Sequence, residues 1–463
     1  MDRETIAAAQ TMPPLAIFGV STLLVVLLIV RFKLNAFVAL VTAAVAVGLL
    51  SPTVPLGDVM KETAQGFGRV AGQIGIAIAM AAIVGDCLTQ SGAADRIVRR
   101  LVAFFGEKRA SLSLLSSGYL LAIPVFFDTV FYLLVPLARA MSVRMGGRQY
   151  VLLTLAISAG GSATHVFVPP TPGPLVMAAN LGVDVGLTIL VGLAVAFPAS
   201  LCAWAYATWI DARLEIQPRE APGASLRELE EVAALPESQL PSLASSLVPI
   251  LLPLVLITSS TVGQLVAPDG RVAGFLGFVG DANFSLMLAA AAGLALLARQ
   301  RSLDASGLAK TVNAAIASAG VIILITAAGG AFGGMLVKAG VGEALGAFAK
   351  NAGLSHLWLG FLLAALFKLA QGSGTVTMIT VSAILGPLVV ASPPPYHAVY
   401  LVMAVGAGAL VGQWMNDSGF WIYRTMTGLD EIETLQAKSV MMAVLGTSAF
   451  AVTLLLSVLL PLV

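Results

Sequence analysis

Two apolar stretches of this chain are cut by strings of Gly, Pro and hydroxyl residues, and both cuts recur 248 residues further on. Ile123-Pro-Val-Phe-Phe-Asp128 aligns with the stretch that opens Gln371-Gly-Ser-Gly-Thr375. Ser158 to Pro174 aligns with Gly406 to Ile422. The former ends in Val168-Pro-Pro-Thr-Pro-Gly-Pro174, and the latter holds Asn416-Asp-Ser-Gly-Phe-Trp421. Backbone released from a helix at membrane depth is tolerated only when it is buried in protein or lines a wet cavity. Paired interruptions in matching halves therefore point to the substrate site of a transporter.

A membrane setting follows from composition. Of 463 residues, 58% are hydrophobic and only 11% charged, where a soluble domain carries roughly a quarter charged. Leu15–Val30, Phe37–Leu50 and Met441–Leu460 are near or above the roughly 17–25 residues a crossing helix needs. The first run has no basic segment before it and no small-residue cleavage site after it, so it reads as a retained helix. A net charge of +1 offers nothing to nucleic acid. Cys87 and Cys202 lie in apolar segments, where neither a disulfide nor a metal site is expected. No Walker loop is present, which disfavours an ATP-driven pump, and no cofactor is implied.

The most hydrophilic stretch, Asp211–Pro241, has seven acidic and three basic residues. It reads as a cytosolic linker over 211–243, with one short surface helix, between repeats at 1–210 and 244–463. The first repeat divides into scaffold helices near 15–50 and a transport part near 66–210, the second into 246–298 and 310–463. At the same offset Asn35 matches Asn283, Ala71-Gly72 matches Ala319-Gly320, and Ala159-Gly160 matches Ala407-Gly408. Each match alone is weak in a chain rich in Gly and Ala; the constant offset indicates duplication.

With the N-terminus outside, crossings fall near 15–31, 34–50, 69–90, 150–181 and 184–210, then near 246–266, 283–298, 311–337, 397–423 and 439–460. Re-entrant hairpins fall at about 111–138 and 356–390. This places 18 Lys/Arg inside, including Arg96, Arg99, Arg100 and Arg139, against six outside, with Lys368 in the second hairpin. The bias obeys the positive-inside rule and puts both termini on the periplasmic side. Five crossings per half invert the second copy. The expected fold class is thus an all-α polytopic membrane protein of two inverted repeats with broken helices at the substrate site. Inversion makes outward-open and inward-open packings nearly equivalent.

Each break precedes a fresh helix start led by Asp128, Thr171, Ser373 with Thr375, or Asn416 with Asp417 and Ser418. These are N-cap residue types, and helix starts offer unpaired N–H groups to an anion. A small carboxylate bearing hydroxyls would suit several such ends. Asp128 is either an ordinary cap or a proton carrier, since intramembrane carboxylates mark ion and substrate paths. Asp417 is either a cap or a ligand, and Asp86 sits near the cytosolic end of its helix. His165 is the one histidine of three in a broken helix, a core residue or a coupling group. His356 and His397 fall at segment ends. Lys368 either snorkels to an interface or neutralises a buried aspartate or an anionic substrate.

These strings resemble the gluconate permease family of proton symporters. The resemblance rests on Gly66-Phe-Gly68, Gly85 to Gly92, Ile123–Asp128, Val168–Pro174, Ala370-Gln-Gly-Ser-Gly-Thr-Val376, Asn416–Trp421 and Glu433-Thr434, in collinear order over nearly the whole chain. Thr171 stands where the family usually has His, Gly374 where it has Ala, and Lys368 where it has Arg. The resemblance implies proton-driven uptake of gluconate or a related hydroxy-carboxylate across the bacterial inner membrane. It also implies a homodimer with a scaffold domain and a mobile transport domain. The residues expected to bind substrate are Phe127, Asp128, Thr171, Gln371, Ser373, Thr375, Asn416, Asp417 and Ser418. For the coupling proton Asp128 comes first, with His165 and Asp417 behind it, and Lys368 is the candidate charge partner. A sodium-coupled carboxylate carrier of the same fold is the alternative, and a membrane-embedded hydrolase or passive channel the more distant rivals.

Overall fold

A computed structural model describes residues 12–106, 109–219, 239–266, 271–351, 353–415 and 417–462, and every regular element among them is helical. Asn416 and the surface helix expected in the linker lie outside the described residues. The first half runs α1 (Pro14–Val26), α2 (Ala36–Leu50), α3 (Val59–Gln90), α4 (Ala93–Phe105), α5 (Ala110–Leu121), α6 (Phe127–Arg144), α7 (Tyr150–Phe167), α8 (Pro172–Leu181) and α9 (Val185–Leu214). The second runs α10 (Leu243–Val266), α11 (Arg271–Val279), α12 (Ala282–Arg301), α13 (Ala305–Lys338), α14 (Val341–Asn351), α15 (His356–Gln371), α16 (Gly374–Ala391), α17 (Val399–Leu410), α18 (Ser418–Thr427) and α19 (Glu431–Leu459).

Helix bounds keep the offset. Adding 248 to α3 gives 307–338 against 305–338 for α13; adding it to α6 gives 375–392 against 374–391 for α16; adding it to α8 gives 420–429 against 418–427 for α18. Among the described residues, eight spans are long and apolar enough to cross a bilayer. The segments expected to cross at 15–31 and 34–50 are helices of 13 and 15 residues, the first prolonged by a π-helical turn at Leu27–Arg31. Large apolar side chains such as Leu23, Leu49, Phe104, Phe197, Val255 and Val458 stand exposed. That is untenable over so much surface in water and natural in lipid. The protein is a polytopic, all-helical membrane protein.

Helix α3 starts at Val59, ten residues before the expected 69, and α13 at Ala305, six before the expected 311; two further boundary differences have local consequences. Helix α9 continues past 210 to Leu214, and Asp211 at that end accepts a hydrogen bond from the Leu152 N–H at 3.0 Å. It thereby serves an orphan donor in the first turn of α7, whose own N-cap Gln149 makes no side-chain cap. Helix α19 starts at Glu431, eight residues before the expected 439. Asp430 accepts from the Glu433 N–H at 2.8 Å while Glu433 accepts from the Asp430 N–H at 2.9 Å, a reciprocal capping box. Lys438, expected in a cytosolic loop, is consequently wholly buried on a π-helical turn, Leu435–Ser439.

The centre is built on α7 and α17. Every residue of α17 is buried. Every residue of α7 is buried except His165. Such helices are apolar all round because protein, not lipid, surrounds them. They reach their neighbours through glycine. A methyl on Gly160 would overlap the Leu115 carbonyl oxygen of α5, and a methyl on Gly408 would overlap the Phe361 carbonyl oxygen of α15. Small residues let membrane helices approach this closely. Gly72 and Gly320, the other matched glycines, face open space.

Gly160→Ala and Gly408→Ala should therefore each destabilise the fold by about 1–3 kcal/mol through overpacking. Gly72→Ala and Gly320→Ala should be neutral or mildly stabilising, because Ala is the better helix former. Thermal unfolding of the purified protein in detergent measures this; four equal midpoints would contradict it.

Candidate functional site

Three helix starts open on one cavity of about 290 Å³. They are the start of α6 with Phe127 and Asp128, of α16 with Ser373 and Thr375, and of α18 with Asp417 and Ser418. The end of α7 contributes Ser162 and His165, α15 contributes Lys368, and Gln413 comes from the segment after α17. The volume is close to the lower end of small-ligand pockets. His165, the single residue of α7 that is not buried, is where the core helix meets this space.

The four expected caps resolve differently. Ser373 caps α16 by accepting from the Val376 N–H at 3.3 Å, and its side chain is exposed to the cavity. Asp417 caps α18 by accepting from the Gly419 N–H at 2.6 Å. Asp128 is not a cap: Phe126 holds that position on α6, and Asp128, one residue inside the helix, is exposed on the cavity wall. Thr171 occupies the N-cap position of α8 but makes no cap. A cap hydroxyl accepts from the second or third helical N–H, and the third residue here is Pro174, which has none. The Thr171 hydroxyl instead donates back to the carbonyls of His165 at 2.9 Å and Val168 at 2.8 Å. Thr171 is not among the residues lining the large cavity; it borders a separate void of about 10 Å³ with Pro124 and Phe126.

A buried ion pair joins Lys368 to Asp417. The Lys368 ammonium also donates to the Gly372 carbonyl, and Asp417 accepts a further bond from Gln413 Nε2 at 2.8 Å. A desolvated pair is tolerable only when its remaining donors and acceptors are satisfied, and this one has those partners. So Lys368 does not snorkel: it is the partner of the α18 cap, and it also borders the cavity. Gln371 ends α15.

Sequence reasoning missed Lys438. Its Nζ lies 4.7 Å from the centre of the Phe127 ring and 5.9 Å from that of Tyr423. Phe131 links these rings, at 5.7 Å from Phe127 and 5.4 Å from Tyr423. Asp128, Asp417, Lys368 and Lys438 fall within electrostatic reach of one another. The Asp430–Glu433 capping box was the available signal: it starts the helix early enough to carry Lys438 inward.

Residues 13–459 match the family model for GntP family permeases. The chain is 35% identical to a gluconate permease of Pseudomonas aeruginosa over 439 residues, spanning 94% of this chain and 95% of that protein. It is 30% identical to the Gnt-II system L-idonate transporter of Escherichia coli over 431 residues, spanning 92% and 95%. In fold it is similar to the YdaH transporter of Alcanivorax borkumensis, with a TM-score of 0.63 at 15% identity over 92% of this chain and 98% of that one. Collinear relatives over the full span, all of them permeases and none an enzyme, establish the class: this chain belongs to the GntP permease family.

Proposed function

We propose that this permease imports gluconate or a closely related sugar acid into the bacterial cell by symport with protons. One observation carries the reading. Three helix starts and a hydroxyl-bearing wall that carries the Lys368–Asp417 pair surround a single cavity that also exposes Asp128. A linear sugar acid has a carboxylate at one end and hydroxyls along its length. The N–H groups at helix starts favour the anion, and Ser373, Thr375 and Ser418 offer hydroxyl partners to the chain. Gln371 and Asn416 join this set through their places in the two strings. The relatives named for gluconate and L-idonate support the substrate class.

In this reading Asp128 takes the coupling proton. A neutralised Asp128 no longer repels an incoming carboxylate, so proton and anion load together. His165, whose Nδ1 is buried without a partner among the described residues, is the second candidate, and Asp417, held by Lys368, the third. The helix pairs α5–α6 and α15–α16 act as re-entrant hairpins, and α7–α8 and α17–α18 as broken helices. The repeats at 1–210 and 244–463, joined by the 211–243 linker, are inverted copies that rock about the site.

Three outcomes test this. In proteoliposomes, labelled gluconate should accumulate when the outside is acid and should ignore sodium; accumulation driven by a sodium gradient at zero pH gradient would favour sodium coupling instead. Asp128→Asn should lose gradient-driven accumulation yet keep counterflow exchange, and full accumulation in that variant would remove Asp128 as the carrier. Ser373→Ala with Thr375→Ala should raise KM about tenfold, at about 1 kcal/mol or less per lost hydrogen bond, with the thermal midpoint unchanged. An unaltered KM would take the start of α16 out of the site.

A further inference from the structure

Two lysines lie in the middle of the molecule, and their surroundings differ. Lys368 is held by Asp417 and the Gly372 carbonyl. Lys438 is wholly buried, and its Nζ has no hydrogen-bond partner among the described residues. An isolated buried ammonium is costly, and buried charges are normally paired. The faces of Phe127 and Tyr423 compensate part of that cost through their quadrupoles, and Asp128 and Asp417 act on it electrostatically, but none of these groups accepts a hydrogen bond from it. A cation kept in such a place fits an anion that comes and goes.

Lys438 does not itself line the cavity, but its neighbours do. Met442, four residues along the same helix and so on the same face, lines it. Phe127 lines it as well, and the Lys438 ammonium sits 4.7 Å from the centre of that ring. The backbone makes a π-helical turn at Leu435–Ser439, a local widening that re-aims side chains and recurs at functional sites. Lys368 cannot serve the same purpose without abandoning Asp417 in a buried setting. Helix starts favour an anion only through partial charge, so a full cation beside them would sharpen the choice of a carboxylate over a neutral polyol.

We propose that Lys438 fixes the carboxylate end of the substrate, and that the Phe127 ring is the shutter that turns aside to admit it. This rests on the sugar-acid reading above. It adds which residue distinguishes a sugar acid from a neutral polyol of the same length.

The test compares gluconate with gluconamide, its neutral near-isostere, by calorimetric titration of the purified full-length protein. Wild type should bind gluconate far more tightly than gluconamide. Lys438→Met should weaken gluconate by roughly 30-fold or more, the scale of losing one partner of a buried charge pair, and leave gluconamide nearly unchanged. Lys438→Arg should retain most of the preference. Lys438→Gln, which keeps a polar head, replaces the methionine variant if that one does not fold. A merely structural lysine would weaken both ligands alike, and a preserved gluconate preference in Lys438→Met or Lys438→Gln overturns the proposal. Wild type that binds neither ligand overturns the sugar-acid reading first. For the shutter, Phe127→Ala should let an amine-acylating reagent label Lys438, with gluconate protecting it; no labelling in that variant removes the shutter.

Discussion

The ion pair between Lys368 and Asp417 is the contact on which the site depends. Lys368 lies in the last turn of α15, and Asp417 is the cap of α18. A cation at a helix C-terminus and an anion at an N-terminus are each favoured by the helix dipole, so the pair is reinforced from both ends. The same lysine reaches the carbonyl of Gly372, the residue that turns the chain from α15 into α16 with φ of +83°. One contact thus pins three helix ends around a space without any of them running through it. Neutralised by each other, the two charges leave Asp128, among the described residues, as the unpaired charge on the cavity wall.

Much of the architecture was legible beforehand because it follows from hydropathy and from residues with few conformational options. The apolar runs, the interruptions at Ile123–Asp128, Val168–Pro174, Gln371–Thr375 and Asn416–Trp421, and the 248-residue spacing are properties of the chain alone. Ser373 and Asp417 were readable as caps, and both make that bond. Side-chain direction was not readable. Thr171 has the right residue type at the right place, but Pro174 removes one of the two candidate donors and the hydroxyl turns back to the His165 and Val168 carbonyls. Asp128 was displaced from the cap by a helix that begins two residues earlier, and its carboxylate lies on the cavity wall.

Lys438 shows a different limit. Gln436, Lys438 and Ser439 in sequence look like a polar loop before an apolar helix. A loop lysine counts as a topological marker, a helical one as a buried charge, and the difference was decided eight residues upstream by Asp430 and Glu433. Near a membrane surface, capping chemistry carries more information about a lysine's fate than the hydropathy around it.

The glycine seams have a mechanical meaning. Where Gly160 meets Leu115, and Gly408 meets Phe361, main chain rests on main chain. A contact of that kind contains no rotatable group to absorb slip. Helices α5 and α7 are thereby keyed together backbone to backbone, as are α15 and α17, and the turns that leave α15 and α17 carry positive-φ glycines, Gly372 and Gly412.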